Sequence, residues 1–226
     1  MTMVSKATLE RSPAAIASII DHTNVDPAAT TTDIDRLCAE VREYGFRSAV
    51  VVPYHIPRVA EAVGDIANVV PVIGFPYGVQ NAAAKCAELD PILPDIDEVD
   101  MVIDRTALAN GDHDRIVEDI RTVNDHIGDR PLKCIIETPA LEPDAIRTAA
   151  ELVEQAGAQY VKTAVGYAGP TSPEDVRTIA AAVGEDTKIK ASGGIGSFDD
   201  ALTMVEAGAA VIGASSSVEI VASAPT

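Results

Sequence analysis

The residues best placed for chemistry are two lysines and an aspartate, each embedded in a run that otherwise reads as a buried strand. Lys162 lies in Tyr160–Thr163, Lys190 in Lys188–Ala191 and Asp100 in Glu98–Ile103. Side chains alternate faces along a strand. Val99, Met101 and Ile103 therefore share an apolar face, which leaves Glu98, Asp100 and Val102 on the other. Likewise Tyr160 and Lys162 stand opposite Val161, and Lys188 and Lys190 stand opposite Ile189. If the apolar faces pack on helices, one carboxylate and two ammonium groups converge on the far side. The two lysine runs, as neighbouring strands about 4.8 Å apart, would bring Lys162 and Lys190 close enough to repel. Like-charge proximity and burial both lower a lysine pKa, and only a neutral lysine attacks a carbonyl to form an imine. Asp100 then offers a carboxylate able to move protons directly or through water. The same groups could equally form a structural ion network, and spacing alone leaves those two readings level.

These residues need a scaffold that aims strand ends at one point. Short β-branched runs recur near Ile19–His22, Ser48–Val52, Val69–Gly74, Glu98–Ile103, Leu132–Glu137, Tyr160–Thr163, Lys188–Ala191 and Ala210–Gly213, each followed by an amphipathic Ala- and Glu-rich stretch. Their starts fall roughly 20 to 35 residues apart, the size of one βα unit. This succession predicts an α/β fold of the parallel (β/α)8 TIM-barrel type, as a single domain over residues 1–226. An extra N-terminal helix, about Pro13 to Ile19, is expected to plug the barrel bottom. A doubly wound open sheet is the competitor. Against it, no Gly-rich dinucleotide loop follows the first strand, and Gly74, Gly166, Gly193 and Gly213 mark several different strand ends. Barrel enzymes work at the C-terminal mouth and commonly hold phosphate in the loops after strands seven and eight. Gly193-Gly194 and Gly213-Ala214-Ser215-Ser216 occupy those places, although Ser197-Phe198-Asp199-Asp200 looks like a helix N-cap and accounts for part of the first loop.

Composition narrows the function classes. Hydrophobic residues make up 47% of the chain but aromatics only 4%, so the apolar content is mostly Ala, Val and Ile, as suits strands buried on both faces. A net charge of −18, from 35 acidic and 17 basic side chains, repels nucleic acid and anionic membranes, so neither is an expected partner. The acidic groups are spread along the chain, which predicts an acidic surface adapted to high salt, with an ordinary acidic protein as the alternative. Lysine is scarce: of the six, Lys133, Lys162, Lys188 and Lys190 fall in strand-like runs, while Lys6 and Lys85 do not. Cys38, Cys86 and Cys134 lack metal-ligand spacing, and His22, His55, His113 and His126 show no pairing, so no metal is expected. Reduced thiols and the lack of a signal-like or membrane-spanning apolar run predict a cytoplasmic location.

Seven ordered motifs at predicted strand ends resemble the deoxyribose-phosphate aldolase family. They are Ile20-Asp21-His22-Thr23-Asn24, Gly74-Phe75-Pro76, Glu98-Val99-Asp100-Met101-Val102-Ile103, Lys133-Cys134-Ile135-Ile136-Glu137-Thr138, Tyr160-Val161-Lys162-Thr163, Lys190-Ala191-Ser192-Gly193-Gly194-Ile195 and Ile212-Gly213-Ala214-Ser215-Ser216. The resemblance implies a class I aldolase that needs no cofactor and cleaves the phosphosugar 2-deoxy-D-ribose 5-phosphate to acetaldehyde and D-glyceraldehyde 3-phosphate. By it, Lys162 matches the Schiff-base lysine, Lys190 the second active-site lysine, Asp100 the catalytic aspartate and Asp21 an acid that positions the second lysine. Glu137 would hold either a lysine or a loop. Thr163, Gly166, Gly193, Gly194, Gly213, Ser215 and Ser216 form the expected substrate- and phosphate-binding set. Family members are often dimers or tetramers, which implies a homo-oligomer.

The chain departs from the family pattern at several points. Val50 stands where many members have cysteine, Ala164-Val165 where Thr or Ser is frequent, Gly196 where Arg is common and Tyr167 where some have Lys. The sequence ends ten residues after Ser216, so a C-terminal tyrosine tail is not expected to take part in proton transfer. Asp104-Arg105 replaces a usually neutral pair and has no explanation at this level. Phosphate binding is therefore expected to rest on backbone donors and serines and to be weaker than is usual in the family. An aldolase of the same fold acting on a different or unphosphorylated sugar stays open, as do a phosphosugar isomerase using Asp100 as base and a phospho-ligand binder.

Overall fold

A computed structural model describes residues 13–225. Eight strands close into a parallel barrel in chain order, β1 Ile20–Asn24, β2 Ser48–Val51, β3 Asn68–Ile73, β4 Val99–Val102, β5 Leu132–Ile135, β6 Tyr160–Lys162, β7 Lys188–Ser192 and β8 Val211–Ala214. Closure is made by the Ile20↔Ile212 and Asp21↔Gly213 pairs of β1 and β8. The expected (β/α)8 barrel is thus the observed fold.

The helices form where the sequence supplies both a face and an end. In α2, Thr31–Tyr44, Ile34, Leu37, Cys38 and Val41 recur at helical spacing and are buried. Thr30 and Asp33 form a capping box at its start, and Gly45 ends it at φ 69°, a conformation that costs glycine little. Ser197 caps α9, Phe198–Ala207, through a second such box with Asp200, so that stretch is structural as its pattern suggested. The outward strand residues, among them Ala49, Val51, Val99, Met101, Cys134, Val161 and Ile189, join the helices in one continuous core. Each fully buried Val or Ile contributes roughly 1.5–3 kcal/mol of transfer free energy. Among the described residues, no helix is long and apolar enough to cross a membrane.

The N-terminal helix α1, Pro13–Ala17, exists, but it does not plug the barrel. Its buried Ile16 and Ala17 join the outer core, and it packs against the last helix α10, Ser217–Ala222. Charged side chains fill the N-terminal end of the barrel instead: Arg47, one residue before β2, reaches Asp21 of β1 and Glu98 at the foot of β4. Strands β5 and β6 are shorter than expected. After Ile135 the chain turns at Glu137, whose φ of 61° is left-handed and incompatible with a continued strand.

Candidate active site

Strand alternation delivers the chemistry into the barrel interior. Lys162 and Lys190 are register partners on β6 and β7, and Asp100 pairs with Lys133 across β4 and β5. The Oδ2 atom of Asp100 lies 2.6 Å from Lys162 Nζ and 2.7 Å from Lys190 Nζ, while its Oδ1 lies 3.0 Å from Lys133 Nζ. Asp21 forms an ion pair with Lys190 at 2.6 Å through Oδ2 and accepts from Arg47 Nη1 at 2.6 Å through Oδ1. Lys133 also pairs with Glu98 at 2.5 Å, and Glu98 accepts from Arg47. Gly213 makes room for this packing, because a Cβ there would stand 3.0 Å from Lys190 Cε and 2.9 Å from Ser192 Cβ.

These groups differ in what they can reach. Above them opens a cavity of about 960 Å³ at the C-terminal mouth, and Lys162 lines it. Lys162 keeps 5% of its surface exposed, whereas Lys190, Lys133 and Asp100 are at 0%. Burial lowers the Lys162 pKa from the ordinary 10.5 to about 8; Asp100 opposes that shift, and the Lys190 and Lys133 cations add to it. Desolvation is therefore the first cause of the shift and lysine–lysine repulsion a smaller one. The Asp100 carboxyl is held well below the usual range: burial alone would raise it, but the three lysine charges prevail. A carboxylate that stays ionised beside an amine that can lose its proton is suited to imine chemistry.

The remaining sequence candidates divide into two groups. Gly166, Gly193, Gly194, Gly213, Ser215 and Ser216 line the cavity beside Lys162. Thr163 does not: it is fully buried, and its hydroxyl accepts from the Ser192 amide and donates to the Ser192 carbonyl, each at 2.9 Å. In this structure the hydroxyl ties the end of β6 to β7. Glu137 serves the loop and not a lysine, since its carboxylate accepts from the amides of Val165 at 2.8 Å and Ala168 at 3.4 Å. Tyr167 is exposed, with its ring 5.6 Å from that of Phe75 at the cavity mouth. Val72, Phe75 and Val165 give the mouth an apolar side, packed on Val102 and Ile135. Asp104 also finds its explanation: it caps the helix α5, Arg105–Ala109, through the Ala107 amide at 2.9 Å and accepts from Arg115 at 2.9 Å.

Sequence reasoning missed three participants. Lys133 follows the alternation that placed Lys162 inside, standing opposite Leu132 and Cys134, so the signal was present. Arg47 had no such signal, because alternation from the outward Ala49 directs it away from the interior. Its position just before β2 lets the long side chain fold under the barrel end. His22 lines the cavity from β1, with Nδ1 2.9 Å from Ser217 Oγ and Nε2 2.7 Å from Glu40 Oε2. It lay in a quoted motif, but only its partners give it a task. Among the described residues, no group of His, Cys, Asp and Glu could hold a metal ion.

A family model described as DeoC/LacD family aldolase matches residues 15–221 of the chain. The deoxyribose-phosphate aldolase of Staphylococcus carnosus (strain TM300) is 41% identical over 208 residues, covering 91% of this chain and 94% of that protein. Deoxyribose-phosphate aldolase 2 of Staphylococcus aureus (strain MRSA252) is 43% identical over 207 residues, covering 90% and 94%. Among solved structures, the tetrameric deoxyribose phosphate aldolase from Aeropyrum pernix superposes with a TM-score of 0.87 at 31% identity, covering 94% of this chain and 92% of that one.

Proposed function

The chain belongs to the DeoC/LacD family of aldolases, and from that premise we propose that it reversibly cleaves 2-deoxy-D-ribose 5-phosphate through an imine on Lys162. The observation that carries the assignment is access: of the interior lysines, Lys162 alone both touches Asp100 and lines the cavity. Neutral Lys162 adds to C1 of the open-chain aldehyde, and the carbinolamine loses water to give a protonated imine. As the C3 hydroxyl is deprotonated, the C2–C3 bond breaks toward the imine. D-glyceraldehyde 3-phosphate leaves and an enamine remains. Protonation of the enamine carbon and hydrolysis release acetaldehyde and regenerate the amine. Asp100, directly or through water, and Lys190 carry these protons, while Asp21 positions Lys190. The phosphate is assigned to the backbone and hydroxyls of Gly193, Gly194, Gly213, Ser215 and Ser216, with Gly166 beside them. The catalytic unit is residues 1–226 acting as one domain, in the cytoplasm, and the tetrameric Aeropyrum relative supports a homo-oligomer, dimer or tetramer.

One observation favours a second substrate reading. Asp26, Asp33, Glu40 and Glu219 line the same cavity as Arg36 and Lys162, a poor setting for a phosphate dianion in dilute salt. An unphosphorylated deoxy sugar would avoid that repulsion. Two measurements test these readings. Borohydride reduction with acetaldehyde should leave an adduct on the peptide containing Lys162, and activity without that adduct would overturn the imine assignment. Comparing kcat/KM for 2-deoxyribose with and without its phosphate then decides between the substrates.

A further inference from the structure

The buried charges form a closed circuit. Arg47 binds Asp21, Asp21 pairs with Lys190, Lys190 binds Asp100, Asp100 binds Lys133, Lys133 pairs with Glu98, and Glu98 returns to Arg47. Three cations and three carboxylates alternate around it. Lys162 is attached from outside, on an Asp100 oxygen that Lys190 already occupies. Arg47 is also the one cation of the circuit that cannot shed its proton under ordinary conditions.

We propose that Arg47 is a positioning residue for Lys162: by closing this circuit it leaves Lys162 as a surplus cation in the barrel interior and so keeps its amine free for the carbonyl. The inference rests on reading Lys162 as the imine-forming amine. Arg47 touches neither the cavity nor Lys162 and acts through Asp21 and Glu98, which it shares with Lys190 and Lys133. Without Arg47, those two carboxylates would hold the interior lysines unopposed, and a protonated Lys162 would be balanced. Lys162 faces Asp100 from β4, Lys190 from β7 and Lys133 from β5. Arg47 faces Asp21 from β1 and Glu98 from the foot of β4, with Lys133 next beyond. Of the other charges nearby, Glu137 is committed to the loop after β6, and Lys188 lies over the Tyr160 ring at 5.6 Å. The low Lys162 pKa agrees with this arrangement.

The test is the pH profile of borohydride-trapped imine on Lys162 with acetaldehyde, followed by mass spectrometry. Arg47→Met should move the transition up by about one pH unit, a tenfold slower trapping on its acid side with the rate recovered above it. Arg47→Lys should restore the wild-type transition. Glu98→Gln, which removes a carboxylate and increases the cation surplus, should move the transition down. A folded Arg47→Met protein with an unmoved transition and a uniformly lower rate would overturn the proposal. If that variant does not fold, Glu98→Gln decides alone, and an unmoved or raised transition is the refuting result. Trapping absent from Lys162 in the wild type would overturn the imine reading itself, a different outcome from a trapped Lys162 whose transition does not respond.

Discussion

Lys162 and Lys190 end on the same oxygen of Asp100, at 2.6 and 2.7 Å. One carboxylate cannot neutralise three ammonium groups, and Lys190 and Lys133 each pair with a second carboxylate, Asp21 and Glu98, which leaves one buried amine with a shared partner only. That amine is Lys162, and kcat/KM should rise with pH through a transition near 8. Lys190→Leu removes a cation beside it and should move the transition to higher pH. Loss of a proton carrier should also lower the plateau by roughly 10²–10⁴-fold. An unchanged transition in the pH–rate profile would remove the role assigned to Lys190 in lowering the Lys162 pKa.

Lys162 should also cost the protein stability. Its folded pKa of about 8 lies below the ordinary 10.5, so the unfolded chain binds the proton more tightly and stability rises as pH climbs between those values. At 1.36 kcal/mol per unit the full effect is on the order of 3 kcal/mol. Lys162→Met should abolish turnover yet keep the fold, and denaturation midpoints across that pH window should lose the rise seen in the wild type. The same rise in both proteins would contradict this account.

Glu137 predicts a change in binding. Its carboxylate holds the Val165 and Ala168 amides, and with them the loop that carries Gly166 and Tyr167 to the cavity. Glu137→Gln halves the acceptor capacity while keeping the size. Steady-state kinetics should show KM for the phosphorylated sugar raised roughly tenfold, from the loss of a charged hydrogen bond, with kcat little changed. A fall in kcat at constant KM would instead give Glu137 a part in the chemical step.

A second buried pair is structural. Lys85 Nζ meets Asp119 Oδ2 at 2.5 Å between α4, Ala82–Leu89, and α6, His113–Ile127, away from the cavity. Asp119→Ala strands a buried ammonium and should cost about 3–5 kcal/mol. Lys85→Met should cost less, because burial already raises the Asp119 pKa and a lone carboxyl can protonate. Urea unfolding of the two variants checks the asymmetry, and equal losses would refute it.

How far the sequence carried depended on whether a position obeys a period. The barrel follows from the recurrence of strand-like runs at the spacing of a βα unit, and the inward aim of Asp100, Lys162 and Lys190 from two-residue alternation. So did the inward aim of Glu98, though its partners were unknown. Lys133 obeys the same rule and was overlooked. Arg47 breaks it, because a long side chain before a strand can curl under the sheet end. Thr163 enters the expected substrate set through a motif; that the strand ends one residue earlier and its hydroxyl turns to Ser192 has no signal there. Pairings such as His22 with Ser217, 195 residues apart, are set by closure of the barrel and have no local signature.

The closed circuit of buried charges that includes Asp100 has one more consequence, concerning electrolyte. Dissolved ions screen charges that they can surround, over about 3 Å at molar salt. They can gather around Asp26, Asp33, Arg36 and Glu40 at the mouth, but not around Asp100, Lys133 or Lys190, which have no exposed surface. Brine should therefore ease the entry of an anionic sugar while leaving the proton affinity of Lys162 where it was, so that one enzyme has a salt-tuned doorway and a salt-blind furnace.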